Sequence, residues 1–213
     1  MLRERVRRLQ GRPLGDRAGA ELATHPALTD VVRLRAGGVY QVGSAPGAAG
    51  LVLALLAGPS AAGAWSAVVG LPDFGAEAAA ALGVQLERTV LVPEPGELWL
   101  EATAALIDVV TLVVVRPATR VGESTAARLA ARLRSRETAL VALGEWPRPD
   151  VRLSVELSRW DGAGRGEGHL RARRMVVSAR RGTAPARRAE LWSSADDLVV
   201  HPAPVSLRKE AAG

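Results

Sequence analysis

The residues of this chain that could carry chemistry lie in a glycine-rich stretch between an apolar strand and an Ala/Leu-rich helix. Gly43, Gly47 and Gly50 divide this stretch, which follows residues 39–42 and leads into a helix near Leu51. This order is typical of a phosphate-binding loop, in which backbone N–H groups at a helix N-terminus hold the phosphates of a nucleotide. The same chemistry needs a lysine for the β- and γ-phosphates and a Ser or Thr hydroxyl for Mg²⁺.

The charged and hydroxyl residues of such a loop are missing. Counted from Gly43, the pattern places its second glycine, its lysine and its Ser/Thr at Ala48, Ala49 and Gly50. If Gly47 is taken as the second glycine, the lysine and hydroxyl positions fall on Ala48 and Ala49. Because neither alignment provides the cation or the hydroxyl, the sequence predicts a nucleotide-binding fold that lacks nucleotide chemistry.

Other kinds of active site find no support in the sequence. The three histidines are far apart, the chain has no cysteine, and no serine lies in a Gly-x-Ser-x-Gly elbow. Because no nucleophile, base or metal-binding set emerges, we expect a protein without a catalytic residue, a metal site or a cofactor.

Composition limits the class of protein further. The chain has 213 residues, of which 48% are hydrophobic and only 3% aromatic, so Ala, Val and Leu must form the core. No stretch reaches the run of about 18 apolar residues that a membrane span needs. The absence of cysteine excludes disulfides and favours a reducing compartment. We therefore expect a cytoplasmic protein that does not enter the membrane.

Charge is distributed unevenly along the chain, which carries a formal net charge of +6. Residues 40–115 contain one basic residue and seven acids, whereas residues 169–188 contain seven arginines and no acid. A molecule with this polarity could bind nucleic acid, an acidic partner or a copy of itself. The candidate DNA-binding residues lie near the ends of a predicted hairpin strand: Arg171, Arg173, Arg180 and Arg181.

The alternative interpretation of these arginines is a solvated outer face of the hairpin. The chain offers few aromatic side chains on which bases could stack. Any DNA binding is therefore expected to be weak, non-specific and salt-sensitive, and it ranks below protein binding among the predicted functions.

The N-terminus has the pattern of a short amphipathic helix. Leu2, Val6 and Leu9 recur at i, i+4 and i+7, with arginines at positions between them. A helix this short is marginal alone, so it must dock on its own domain or on another subunit. We expect an N-terminal arm at residues 1–15, one domain at residues 16–204 and a flexible tail at residues 205–213.

Strands and helices alternate between residues 39 and 143. This alternation predicts a largely parallel sheet covered by helices on both faces. The first predicted helix ends at Gly58 and Pro59, which are expected to break it. A later helix over residues 96–107 is predicted to place Leu98 on its buried face.

The second part of the chain is predicted to add strands to this sheet. The apolar run at residues 109–115 predicts a strand buried on both faces, and Ser124 is placed to cap the helix after it. After residue 149 the pattern changes to strands alone. Residues 151–157 alternate, with Leu157 on the buried face, and antiparallel hairpins are expected to follow.

The order of these elements, together with particular residues, resembles the RecA core. The residues that carry the resemblance are Ala81-Leu82-Gly83-Val84, Leu91-Val92, Pro95-Gly96-Glu97, Leu100-Glu101-Ala102 and Leu106, which lead into the strand at 109–115. The resemblance covers about residues 30–195. It implies an α/β fold with a mostly parallel sheet flanked by helices and antiparallel hairpins at the C-terminal end.

The same resemblance implies where functional residues have been lost. Arg116 stands at the position of the acidic residue that ends the magnesium-binding strand. The position of the glutamate that activates water falls near Pro72. The DNA-binding loops are shortened to about residues 117–122 and 145–149.

Within that superfamily the chain resembles the ImuA family, in its short, ATPase-deficient ImuA-prime form. The likeness is carried by the chain length, the alanine-filled loop, His25-Pro26-Ala27-Leu28 and Gly37-Gly38. It implies a non-catalytic accessory factor of damage-induced mutagenesis. Such a factor is a scaffold for ImuB, a Y-family polymerase homologue, and through it for a translesion polymerase.

Other partners and functions stay open at this point. RecA itself and a second copy of the chain are further candidate partners. The alternatives to the mutagenesis factor are a SulA-like inhibitor of cell division, which is related in fold, and a weak DNA-binding module.

Overall fold

The computed structural model describes residues 19–161, 172–194 and 201–202. In them, nine strands form a single sheet, namely β1 (Val39–Val42), β2 (Ser66–Val69), β3 (Thr89–Val92), β4 (Leu112–Val115), β5 (Ala139–Leu143), β6 (Val151–Asp161), β7 (Ala172–Arg180), β8 (Arg187–Ser194) and β9 (His201–Pro202). The α-helices are α1 (Ala48–Ala61), α2 (Ala76–Ala81), α3 (Trp99–Ile107) and α4 (Glu123–Arg136). Short 3-10 turns occupy Pro26–Leu28, Leu86–Arg88 and Gly96–Leu98.

The sheet has a parallel half and an antiparallel half. Its strand order is β3-β2-β4-β5-β1-β6-β7-β8-β9. All neighbouring pairs from β3 to β6 are parallel, and all pairs from β6 to β9 are antiparallel. The predicted class is therefore confirmed: a mostly parallel α/β sheet flanked by helices, with antiparallel hairpins at its C-terminal end.

Helices cover both faces of the parallel half. Alternate residues of β4 belong to two separate hydrophobic clusters, so all four of its side chains are buried. One cluster contains the apolar residues of α1, and the other contains those of α3 and α4. Burial on two faces explains why these strands are continuous Val, Leu and Ala runs rather than alternating ones.

The predicted end of the first helix is wrong. Helix α1 continues through Gly58 and Pro59 to Ala61, and Gly58 and Pro59 are both buried. A Cβ on Gly58 would collide with the backbone of Thr24 and His25, so this glycine lets the N-terminal segment lie against the helix. Gly58 also has no Cβ to clash with the proline ring, which removes part of the usual penalty for a helical residue before proline.

The predicted buried face of the helix at residues 96–107 is also wrong. Leu98 ends a 3-10 turn and is 66% exposed, whereas α3 buries Trp99, Thr103 and Ile107. These three residues recur every four positions and so form one stripe along the helix. The strand predicted to begin at Val109 begins only at Leu112, and Val109 is 71% exposed.

The alternation predicted for residues 151–157 stops one residue early. Val155 pairs with Val177, but Leu157 pairs with Val176, because Glu156 forms a bulge in β6. One extra residue reverses which face each later side chain occupies. Leu157 is therefore 46% exposed instead of buried.

Helix α4 begins earlier than predicted and is otherwise as expected. Gly122 is at the N-cap position, and Ser124 lies inside the helix without capping it. Leu129 and Leu133, four positions apart and so on one face of the helix, are buried in the core. No helix among the described residues is both long and apolar enough to span a lipid bilayer.

Candidate functional site

The glycine-rich stretch forms a compact turn between β1 and α1. Its backbone is closed by internal bonds: the amide of Ala45 donates to the carbonyl of Gly43 (3.0 Å), and the amide of Ala48 donates to the carbonyl of Ala45 (2.9 Å). Gly47 has a φ of 100°, a left-handed conformation that side chains with a Cβ rarely adopt. The amide of Gly43 is bound to the carbonyl of Leu153 on β6 (2.9 Å), which fixes the turn to the sheet.

The side chains of the turn add neither charge nor hydroxyl where nucleotide chemistry needs them. Ala48 is buried under the turn, Ala49 is exposed, and Gly50 lies in the first turn of α1. The amides of Ala45 and Ala48 are bound to carbonyls of the turn itself, which leaves them unavailable as donors to a phosphate. The arrangement can offer a ligand only the remaining amides at the start of α1.

A cation reaches this turn from another part of the sheet. The guanidinium of Arg173, on β7, lies against the turn: a Cβ on Gly47 would be 2.9 Å from its Nη2, and a Cβ on Gly50 would be 3.1 Å from its Nη1. Ser158 accepts hydrogen bonds from Nε (3.2 Å) and Nη2 (3.1 Å) of Arg173. The ring of Trp160 lies 5.2 Å from the guanidinium carbon and adds a cation–π contact.

Arg173 therefore fills space above the glycines. Its side chain is half-buried, and burial lowers the pKa of its guanidinium, although arginine stays charged at neutral pH. A cation beside the N-terminus of α1 is opposed by the helix dipole, which favours anions there. The contacts with Ser158 and Trp160 offset that cost. Sequence analysis placed Arg173 in a DNA-binding cluster and missed this contact with the turn.

The predicted magnesium-site position holds an ion pair. Nη1 of Arg116, just after β4, is 3.0 Å from Oδ1 of Asp73, which follows β2. The hydrogen bond from Arg116 holds the pKa of the Asp73 carboxyl below its ordinary value. Both side chains are solvent-exposed, so the ion pair lies at the surface, where it links the ends of β2 and β4, and not in a buried site. Asp73, the neighbour of Pro72, had no role in the sequence analysis.

The short loop after β5 is tied back to helix α4. Nη2 of Arg148 is 2.9 Å from Oε2 of Glu123, and Trp146 is buried in the core. A cavity of about 420 Å³ lies between this loop and the helix, lined by Trp146 together with Ala126 and Ala130. The exposed guanidinium of Arg148 is thus paired with a carboxylate of the same surface, which lowers its attraction for a nucleic-acid phosphate.

The four candidate DNA-binding arginines do not form one surface. Arg171 lies outside the described residues. Arg173 and Arg180 are an odd number of positions apart on β7, so they project from opposite faces of the sheet. Arg180 and Arg181 are exposed, whereas Arg173 contacts the turn. The partner-binding candidates Leu2, Val6 and Leu9, the arm at 1–15 and the tail at 205–213 also lie outside the described residues.

Sequence analysis missed a surface along the outer edge of the sheet. In the described structure β3 is an edge strand, with exposed leucines before, within and after it: Leu86 (37%), Leu91 (44%) and Leu98 (66%). Four glutamates flank these residues, and none has an ion pair among the described residues: Glu87, Glu94, Glu97 and Glu101. We call these seven residues the edge surface. The only feature of the sequence that pointed to this surface was the excess of acidic over basic residues within residues 40–115.

These features define the class of the protein: a mixed α/β domain whose strand–turn–helix lacks the lysine and hydroxyl of a phosphate-binding loop. The chain belongs to the family of the MT3502 N-terminal domain, whose model matches residues 27–148. It is also similar to the uncharacterized protein Rv3395c of Mycobacterium tuberculosis, at 37% identity over 122 residues. That similarity covers 56% of this chain and 60% of the relative's length. The family match includes the turn and β1–β5 and ends before β6.

Proposed function

We propose that the protein is a non-catalytic, RecA-like accessory factor of damage-induced mutagenesis that acts in the cytoplasm as a scaffold. Its partner in this proposal is an ImuB-like homologue of the Y-family polymerases. The resemblance to the ImuA family supplies the pathway and the partner. The observation that carries the scaffold role is the edge surface, because it has the properties of a protein-binding site.

The first of these properties is an open strand. In the described structure β3 pairs with β2 on one side only, so half of its backbone N–H and C=O groups are unpaired within the sheet. An extended segment of a partner can add to such an edge through main-chain hydrogen bonds. Its side chains would then meet Leu91 and the neighbouring leucines.

The second property is uncompensated charge. The four glutamates of the edge surface give it a net negative charge, and Arg88 is turned away to the carbonyl of Gly63 (2.6 Å). A partner segment that combines basic and apolar residues would neutralise the carboxylates and cover the leucines. Complementary charge of this kind steers association and selects among partners. The occupant proposed here is such a segment of the ImuB-like protein.

The turn supports the non-catalytic part of the proposal. A phosphate-binding loop whose lysine is replaced by alanine has no cation of its own for the γ-phosphate. Arg173 occupies the space over Gly47 and Gly50, and Arg116 would face a magnesium ion with like charge. We expect no ATP hydrolysis and no rise in Tm with Mg-ATP. Micromolar ATP affinity in calorimetry would contradict this.

The scaffold role is tested by capturing the partner after DNA damage. The tagged chain and two double variants are expressed in the source cells, and mass spectrometry identifies what co-purifies. The edge variant carries Leu91→Ser and Glu94→Arg. The control variant carries Leu157→Ser and Glu145→Arg, which change an exposed leucine and an unpaired exposed acid elsewhere on the described structure.

We expect a Y-family polymerase homologue with the unmodified chain and with the control variant, and its loss with the edge variant. Damage-induced mutation frequency in a deletion strain should be restored by the same two proteins and not by the edge variant. Equal Tm values for the two variants show that the loss is not a folding defect. Recovery of the tubulin-like division protein instead would favour the SulA-like alternative and overturn the proposal.

A further inference from the structure

A cavity lined by polar side chains lies on the face of the sheet opposite α1, away from the glycine-rich turn. On this face α4 and the loop after β5 pack over β4 and β5, and they do not extend past β1. Beyond it, alternate residues of β1, β6 and β7 line a cavity of about 300 Å³. We call it the outer pocket; its polar side chains are Gln41, Arg152, Ser154, Glu156, Ser178 and Arg180.

Three of these residues form a row across neighbouring strands. Gln41 of β1 is in register with Arg152 of β6, and Arg152 is directly opposite Arg180 of β7. Neighbouring strands are about 4.8 Å apart, so one compact ligand can reach all three side chains. The row lies on the opposite face of the sheet from Arg173 and is therefore separate from the contact over the glycine-rich turn.

The positive charge of the row is only partly balanced, by the nearby carboxylate of Glu156, which interacts with Arg180 at longer range. Like charges directly opposite each other in a sheet are destabilising. Neither Arg152 nor Arg180 has an ion pair among the described residues. The arginine next along this face, Arg188, does have one: its Nε is 2.8 Å from Oε2 of Glu156. Because the Glu156 carboxylate is bonded to Arg188 and only partly balances Arg180, the row keeps a net positive charge that favours an added anion.

Gln41 gives the second and independent observation. Its Oε1 is buried, and no described group donates a hydrogen bond to it. A buried acceptor without a donor is costly, and most such atoms in folded proteins are satisfied by a partner. The hydroxyls of Ser154 and Ser178 are hydrogen-bonded to each other at 2.9 Å, and neither donates to Gln41. No described residue supplies this donor, which leaves it to a group outside the described structure, such as an O–H or N–H of a ligand in the pocket.

We infer that the outer pocket binds a phosphate group whose ligand also carries a hydroxyl. Arg152 and Arg180 pair with the phosphate oxygens, as arginines do in most phosphate sites, and Gln41 accepts a hydrogen bond from the hydroxyl. This chemistry fits inorganic phosphate, a nucleoside monophosphate or the phosphorylated end of a nucleic-acid strand. The terminal phosphates of Mg-ATP are already bound by the metal, so Mg-ATP is not expected to bind here. The inference does not depend on the proposed scaffold role, which rests on the other edge of the sheet.

The test uses the full chain and three variants. The pocket variant is Arg152→Gln with Arg180→Gln. The control, Arg120→Gln with Arg181→Gln, removes two exposed arginines that are also without an ion pair among the described residues and lie outside the pocket. The third variant is Gln41→Leu. Inorganic phosphate and a mononucleotide are titrated by calorimetry and by Tm shift, with chloride at equal ionic strength as the reference. Single-stranded oligonucleotides with and without a 5′-phosphate are titrated by fluorescence anisotropy.

We expect phosphate to raise the Tm of the unmodified chain and of the control, and the pocket variant to bind about tenfold or more weakly. Gln41→Leu should weaken binding while leaving the ligand-free Tm unchanged or higher, because it removes an unsatisfied acceptor. Preference for the phosphorylated oligonucleotide over the mononucleotide identifies a strand end, and the reverse identifies a free nucleotide. Equal loss in the pocket and control variants, or no binding of phosphate, of the mononucleotide and of the phosphorylated oligonucleotide by the unmodified chain, would overturn the inference.

Discussion

The two halves of the sheet use their faces differently. In the parallel half, helices cover both faces of β4 and β5, and every side chain of these two strands is buried. In the antiparallel half, from β6 onward, one face joins the core through Leu153, Val177 and Leu191. The other face carries arginines, serines and glutamates, and no helix among the described residues covers it.

This difference separates where the molecule is stabilised from where it can bind. A strand buried on both faces has no side chain to offer a ligand, so β4 and β5 can contribute to a site only at their ends. The open edge of β3 and the outward-facing Gln41 of β1 stay available. A strand buried on one face can vary its outer residues at little cost to the core. The proposed protein site lies on the edge of the first half, and the proposed phosphate site lies on the open face of the second.

The largest expected effect comes from truncating matched leucines in the two halves. Leu140 in β5 is fully buried, whereas Leu157 in β6 is 46% exposed. Leu140→Ala should lower the free energy of unfolding by about 2–5 kcal/mol, because it leaves a cavity between two covered faces. Leu157→Ala should change it by less than about 0.5 kcal/mol.

Urea unfolding followed by circular dichroism measures both values. Similar losses for the two variants would mean that the outer face of β6 is covered as firmly as the parallel half. That result would remove the distinction between the halves.

A second prediction tests how the N-terminal segment is fixed to the parallel half. Gly58→Ala should destabilise the protein by about 1–3 kcal/mol, because the added Cβ meets the backbone of Thr24 and His25. Helix propensity alone predicts the opposite sign, a gain of about 1 kcal/mol. Gly122→Ala is the control for the added Cβ, which meets nothing within 4 Å there. It should cost only about 0.5 kcal/mol, because Ala is a poorer N-cap than Gly for α4. A Gly58→Ala protein as stable as the original would show that the segment moves aside at no cost.

The covered half of the fold follows from sequence patterns more closely than the open half. Short continuous runs of Val, Ala and Leu identify β2, β4 and β5, because burial on both faces makes nearly every residue of each strand apolar. The glycine-rich turn is likewise visible as an arrangement of residue types. The effect of Gly58 and Pro59 was predicted wrongly, because it depends on Thr24 and His25, which pack against the helix from an earlier segment of the chain.

The candidate sites were less predictable for the same reason. Arg173 reaches the turn from more than a hundred residues away along the chain, and a bulge at Glu156 decides which side chains of β6 face outward. Asp73 pairs with Arg116 only because β2 and β4 are neighbours in the sheet. Local periodicity carries no information on contacts between distant residues. Composition indicated an acidic and a basic region of the chain, but not where these regions lie in the folded structure.

The smallest expected effect concerns an ion-pair cluster in each half. In the parallel half, Asp108 at the end of α3 is bound by Arg132 (Nε to Oδ1, 2.8 Å) and Arg136 (Nε to Oδ1, 3.1 Å) of α4. In the antiparallel half, Glu156 is bound by Arg188. The hydrogen bond from Arg132 lowers the pKa of Asp108, and that from Arg188 lowers the pKa of Glu156.

A carboxylate with a lowered pKa stabilises the fold above its unfolded pKa, about 4, and loses that contribution as the pH falls through the lower folded value. Asp108→Asn should therefore cost about 0.5–1 kcal/mol at pH 7, and the difference from the unmodified protein should shrink as the pH falls below about 4. Glu156→Gln should cost less, because its side chain is more exposed than that of Asp108 and solvent screens it. Thermal unfolding from pH 7 down to pH 3, in low and high salt, measures both. If Asp108→Asn still costs as much at pH 3 as at pH 7, the contact between α3 and α4 depends on packing and not on this charge. If Glu156→Gln costs as much as Asp108→Asn, the difference in solvent exposure does not decide the strength of the two ion pairs.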